Sequence, residues 1–164
     1  MITEHKSPGQ IMREATTTDI KIFLAGTIDN GNSADWQTVV RDFFANRYNQ
    51  IPRDIVFYNP RRLNWDPNCE QKLENPQFYQ QVGWELNALE KADYIIMNIL
   101  PDSKSPITLM ELGLYAQSGK LLVCCPREFY RAGNVEMVCD RYNIPLYNNI
   151  DTLLNNFVSD YIKK

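Results

Sequence analysis

The 164-residue chain holds a single histidine, His5, and its four cysteines, Cys69, Cys124, Cys125 and Cys139, form no CxxC pair. One histidine in a polar terminus leaves no material for a Ser-His-Asp or Cys-His site, or for a histidine-rich metal centre. Acid–base work therefore falls to carboxylates, tyrosines or thiols. Two of the cysteines are adjacent in an apolar run, and the set reads as reduced thiols of a cytoplasmic protein. Neither a metal nor a cofactor is called for. An excess of basic charge is also missing: 17 Lys and Arg stand against 20 Asp and Glu, for a net charge of -3. Arg61-Arg62 and Lys163-Lys164 are the only basic runs, and a nucleic-acid surface would show a basic stripe, so no such partner is expected. No apolar stretch approaches the ~20 residues of a membrane span, and the polar start MITEHKSPGQ does not read as a secretory leader. Neither GxGxxG nor GxxxxGK[ST] occurs, which removes the Rossmann fingerprint and the P-loop.

What is present is ordinary for a globular domain, with 44% hydrophobic and 23% charged residues. Residues 1–20 carry Pro8, the run ATTTD and no sustained period, and read as an extension. Residues 21–164 read as one domain. Short apolar runs punctuate it: KIFLAG (21–26), DIVFYNP (54–60), DYIIMNIL (93–100), KLLVCCP (120–126) and a weak IPLY (144–147). Between them lie helical periods. Trp36, Val39, Val40, Phe43 and Phe44 follow Ser33 as N-cap, and Phe78, Val82, Leu86 and Leu89 mark a helix over 78–91. A further helix runs over about 107–118 and closes at Gly119, NVEMVCDRY forms a short one, and Asp151 caps a last one that buries Leu153, Leu154, Phe157 and Tyr161. Apolar strands alternating with helices predict an α/β, doubly wound, flavodoxin- or Rossmann-like, mostly parallel sheet of about five strands with helices on both faces.

Ligands of such sheets bind beyond the carboxyl ends of the strands. Here those loops are GTIDNGNS, NPRRLNW, PDSKSPIT and PREFYRAGN, each of which also reads as plain solvent-exposed loop. Glu111, one turn into the helix after PDSKSPIT, admits two readings from the residues alone. It is a helix-start glutamate stabilised by the dipole by ~0.3–1 kcal/mol, or a partly buried carboxylate among Met110, Leu112, Leu114 and Tyr115. Glu85 is a surface glutamate or a member of a mixed face with Gln81, Ala88 and Leu89.

KIFLAGTI, QVGWELNALEKADYIIMNI and LMELGLYAQSGKLLV, in this order and spacing, resemble the nucleoside 2-deoxyribosyltransferase-like proteins, which include nucleotide N-glycosidases. The likeness covers about residues 21–150. It implies cleavage of an N-glycosidic bond. The ELG glutamate, here Glu111, would be the nucleophile at the anomeric carbon, and Glu85, where family members often carry aspartate, would protonate or bind the departing base. The chemistry is coherent. A carboxylate beneath the sugar stabilises or traps an oxocarbenium-like state, and a base leaves readily only when protonated.

On the same resemblance the substrate is expected to meet Gly26, Thr27, Asp29 and Asn30, then Pro60 and Arg61, and Ser105, Thr108 and Met110. Six positions before the ELG glutamate, the transferase type tends to carry an aspartate for sugar hydroxyls and the nucleotide-hydrolase type a serine for the 5′-phosphate. This chain has Ser105, with Ser103 and Lys104 close by. GTIDNGNS, however, lacks the arginine of some nucleotide hydrolases, and Asp29 would repel a phosphate if turned inward. The partner is a small-molecule nucleoside or nucleotide. Family members also assemble as dimers or higher homo-oligomers that complete each pocket with a neighbour's residue. RAGNVEMV resembles that segment and points at Asn134, which reads equally as a helix N-cap. Three functions stand: 2-deoxyribosyl transfer between bases, hydrolysis of nucleoside 5′-monophosphates, and a catalytically silent nucleotide-binding domain.

Overall fold

A computed structural model describes residues 1–9 and 19–162. Its sheet has six strands: β1 Ile2–Lys6, β2 Ile20–Gly26, β3 Ile55–Asn59, β4 Tyr94–Asn98, β5 Leu121–Cys124 and β6 Leu146–Tyr147. All are parallel, in the order β1-β3-β2-β4-β5-β6. Among the described residues four α-helices connect the strands, α1 Trp36–Ala45, α2 Pro76–Lys91, α3 Pro106–Tyr115 and α4 Ala132–Tyr142, and a fifth, α5 Ile150–Phe157, follows β6.

The side-chain alternation of the strands sorts the core into two layers. From β2, Ile20, Ile22 and Leu24 pack with Trp36, Val40 and Phe44 of α1 and Leu153, Leu154 and Phe157 of α5. Phe23 and Ala25, one residue out of phase, pack with Trp84, Ala88 and Leu89 of α2, Leu112 of α3 and Val135 of α4. Helices therefore cover both faces, which is why the inner strands are continuous apolar runs. The expected doubly wound α/β class holds.

The sixth strand is β1, within the polar start of the chain. Its residues ITEHK are all half-buried and pair with β3 from Ile2↔Ile55 to Lys6↔Asn59. An edge strand with both faces partly wet has no alternating apolar signal, so its order comes from the partner strand. Most of the ATTTD run lies outside the described residues.

Several local expectations need correcting. Asp35, not Ser33, caps α1, accepting from Thr38 N at 3.1 Å. Asn149, not Asp151, caps α5 through Thr152 N at 2.8 Å. In each case the capping side chain stands two positions from the expected one, because Ser, Asp and Asn cluster at these starts and composition cannot rank them. Asn134 is no cap either: α4 begins at Ala132, which puts Asn134 inside its first turn. Val39, Leu86 and Tyr161 are exposed, and the buried face of α2 is Gln81, Trp84, Ala88 and Leu89. Gly119 is left-handed at φ 73° in the turn after α3, as its closing role requires.

Candidate functional site

β2 and β4 are neighbours, and the chain winds outward from them in both directions, so the switch point lies beyond Gly26 and Asn98. The two backbones touch there. Gly26 has φ +139°, and a Cβ on it would stand 2.1 Å from the carbonyl oxygen of Asn98. Thr27 N donates to that same oxygen at 3.0 Å, which turns the buried Thr27 side chain toward the loop after β4.

Its hydroxyl is the hub of a small network. Thr27 Oγ1 accepts from Leu100 N at 3.0 Å and lies 3.0 Å from Ser103 Oγ and 2.7 Å from Ser105 Oγ. The two serine oxygens are 2.8 Å apart, and Ser103 Oγ donates to Leu100 O at 2.8 Å. Three hydroxyls thus converge at the switch point. Ser105 precedes α3 in a left-handed conformation, φ 45°, and makes no side-chain cap bond to the helix. A non-glycine residue in that region is uncommon, and here it aims the hydroxyl at Thr27 rather than at α3.

α3 starts on Pro106, whose fixed φ suits the first helical position. One turn later Thr108 and then Glu111 are buried, Glu111 to 7% exposure. The surface reading of Glu111 is overturned. Burial pushes its carboxyl up to about 8, and the charge of Glu85 on α2 adds to the shift. Glu85 is half-buried, and burial raises its carboxyl as well. Opposing that rise, Gln81 Nε2 donates to Glu85 Oε1 at 2.7 Å. Two carboxylates from two helices therefore share one desolvated region, where burial favours the protonated form of each and the charge of Glu85 adds to that at Glu111. An arrangement of this kind offers one ionised and one protonated carboxyl at once, the set needed to stabilise a cation and protonate a leaving group.

The remaining expected residues are placed as follows. Pro60 contributes its carbonyl, which accepts from Gln81 Nε2 at 2.9 Å. Arg61 is engaged with the protein itself: Nη2 donates to Ser33 O at 2.7 Å and Gly31 O at 3.0 Å, and Nη1 to Ala34 O at 3.2 Å. It ties down the loop after β2. An Arg61→Lys variant loses the planar fork, so we expect a loss of about 1–3 kcal/mol, read as a lower midpoint in thermal unfolding. An unchanged midpoint would show that the loop holds without it. Asp29 is exposed at φ 49° in a short 3-10 turn, and the Asn30 side chain lies outside the described residues. Met110 is exposed on α3, as is Asn134 on α4. Cavities of about 330 and 230 Å³ lie elsewhere. The first is lined by α4 residues with Asn143, Ile144 and Leu146, the second by Gly31, Asn32, Arg61, Arg62, Leu63 and Trp65, and neither glutamate lines them.

The cysteines stand apart from this site. Burial pushes the thiols of Cys124, Cys125 and Cys139 up to about 12, 11 and 11, so they pack as small apolar groups and are poor nucleophiles. Gln81, four positions before Glu85, was legible in the sequence only as a member of the same mixed helix face. One residue of interest escaped the sequence. Ser7, whose Oγ is 2.5 Å from Gln81 Oε1, is 74 positions away and left no signal.

The family described as nucleoside 2-deoxyribosyltransferase like matches residues 19–129, a span that holds β2 to β5 with Thr27, Glu85, Ser105 and Glu111. No curated protein matches the chain.

Proposed function

The chain belongs to the nucleoside 2-deoxyribosyltransferase-like family, and from that premise we propose that it cleaves the N-glycosidic bond of 2-deoxynucleosides and passes the sugar to a second base. The observation that carries this reading is the pair of desolvated glutamates, Glu111 on α3 and Glu85 on α2, with the charge of Glu85 adding to the rise that burial causes at Glu111. At rest burial keeps the proton on Glu111; once it has passed to Glu85, the Glu111 carboxylate attacks C1′ as the C1′–N bond breaks. The bonding pair leaves with the base, which takes the proton of Glu85. An incoming base then attacks C1′ through a ring nitrogen and gives its proton to Glu85, while the ester to Glu111 breaks and restores the carboxylate. Water in place of the second base yields free deoxyribose.

The hydroxyls of Thr27, Ser103 and Ser105 favour a second reading, hydrolysis of a nucleoside 5′-monophosphate, because three convergent O–H groups next to the start of α3 suit phosphate oxygens. The two are separated by incubating the protein with deoxynucleosides and with their 5′-monophosphates, each with and without a second free base, and resolving the products by chromatography. Transfer predicts a new nucleoside that appears only with the acceptor. Release of base from monophosphates alone would establish hydrolysis, with Ser105→Ala then expected to raise KM for the monophosphate. No turnover of either class would leave the third function, a silent nucleotide-binding domain.

A further inference from the structure

Glu85 stands at the end of a chain of hydrogen bonds whose far end is Ser7. The chain fixes its own polarity. A proline carbonyl only accepts, so the Gln81 atom 2.9 Å from Pro60 O is the amide nitrogen. The other amide atom is then Oε1, and Ser7 Oγ, 2.5 Å from it, donates. The same nitrogen lies 2.7 Å from Glu85 Oε1, which therefore accepts, and a proton carried by Glu85 resides on Oε2. Reversing the amide would set its oxygen against the Pro60 carbonyl, which cannot donate, so that end opposes the flip, while Ser7, as the donor to Oε1, holds the amide in place.

The N-terminal segment is built to deliver Ser7 to this place. β1 runs along β3, Ser7 N donates to Asn59 O at 3.2 Å, and two residues on, Gly9 O accepts from Trp84 Nε1 at 2.9 Å. The segment is thus pinned to α2 at Gln81, one turn before Glu85, and at Trp84, the residue just before it. Ser7 is 4% exposed and Gln81 7%, so no water competes freely for these bonds.

We infer that Ser7 and Gln81 are positioning residues for Glu85: the Ser7 hydroxyl holds the Gln81 amide in one orientation, and that amide fixes Glu85 with Oε1 as acceptor and Oε2 as the oxygen that exchanges a proton with the base. The inference rests on the reading of Glu85 as the acid. The charge of Glu85 on α2 favours the protonated form of Glu111 on α3, and on α2 the Gln81 bond favours the ionised Glu85 carboxylate against burial. Removing that bond moves the titration of Glu85 upward.

The test uses the full chain labelled with 13C-glutamate, with the Glu85 carboxyl carbon assigned by its loss in Glu85→Gln and followed by NMR through a pH titration. Gln81→Leu is expected to raise its midpoint, and Ser7→Ala to raise it by less. Ser7→Thr, which keeps the hydroxyl, is expected to retain the wild-type midpoint. In kinetics, Gln81→Leu lowers kcat by about ten- to a hundredfold, the scale of one lost hydrogen bond to a charged group, and Ser7→Ala lowers it less. KM changes little in both. Unmoved midpoints in both variants would overturn the inference while leaving base cleavage intact. Moved midpoints in a protein with no turnover would uphold the chain of bonds and reject the assigned reaction. Should Gln81→Leu fail to fold, Ser7→Ala at the sheet edge decides alone.

Discussion

Glu111→Gln abolishes base cleavage, by about a thousandfold or more, and at the same time makes the protein more stable at alkaline pH. The first effect is expected from the role proposed for Glu111 as nucleophile, since an amide oxygen neither traps C1′ as an ester nor balances the charge developing on the sugar. The second follows from linkage. The Glu111 carboxyl stands at about 8 in the folded protein against the usual 4.5, so between those values the folded state keeps a proton that the unfolded chain releases. Stability from this site is complete below the lower value and is lost as pH rises through the upper one. Glutamine has the same shape and no proton to lose. The variant should therefore match the wild type near pH 4 and exceed it by a few kcal/mol near pH 8, or several degrees in Tm at this chain length. Calorimetry of both proteins at acid and alkaline pH checks it. Parallel curves would mean that Glu111 titrates as an ordinary exposed carboxyl, and the coupled pair would be lost from the mechanism with it. Wild-type activity should likewise fall above about pH 8, where Glu111 loses its proton. Stability given up at a working site in exchange for a poised carboxyl is the usual sense of such a trade.

The two glutamates were singled out in the sequence by a family resemblance rather than by their own pattern, and their helices were legible because the apolar period around them is strong. The doubly wound sheet was legible for a similar reason: a strand buried on both faces, such as IKIFLAG or YIIMN, has no polar residue to interrupt it. What stayed hidden depends on contacts between distant positions. β1 gains its order from β3, and its own residues mix Thr, Glu, His and Lys with one Ile. Ser7 matters through a side chain 74 positions away. Arg61, expected against a substrate, is engaged by the carbonyls of the neighbouring loop, and no composition argument says where a guanidinium will turn. Glu111 was undecided between surface and pocket because one helix wheel cannot show what packs across it; its burial in the folded chain decides that.

Gly26→Ala should be the most damaging single change to the fold. Glycine is required there twice over. The backbone at φ +139° lies where L side chains rarely go, a strain of about 1–3 kcal/mol for any other residue. A Cβ would also stand 2.1 Å from Asn98 O and 2.9 Å from Asn98 N and C, atoms of the paired strand that cannot swing away as a side chain would. β2 and β4 would have to part at the middle of the sheet, adding a further ~1–3 kcal/mol of overpacking and the bond from Thr27 N to Asn98 O. Against a total stability of about 5–15 kcal/mol, the sum removes a large share, and Tm should drop by about ten degrees or more. Gly133→Ala on α4 is the control, since a Cβ there meets nothing within 4 Å and alanine favours a helix by about 1 kcal/mol. A Gly26→Ala protein melting with the wild type would mean that the strands yield easily at this point. Whatever fraction of the variant does fold should still be impaired, because Thr27 follows directly and its hydroxyl joins Leu100, Ser103 and Ser105. The residue that lets two strands touch thus also sets where the three hydroxyls meet.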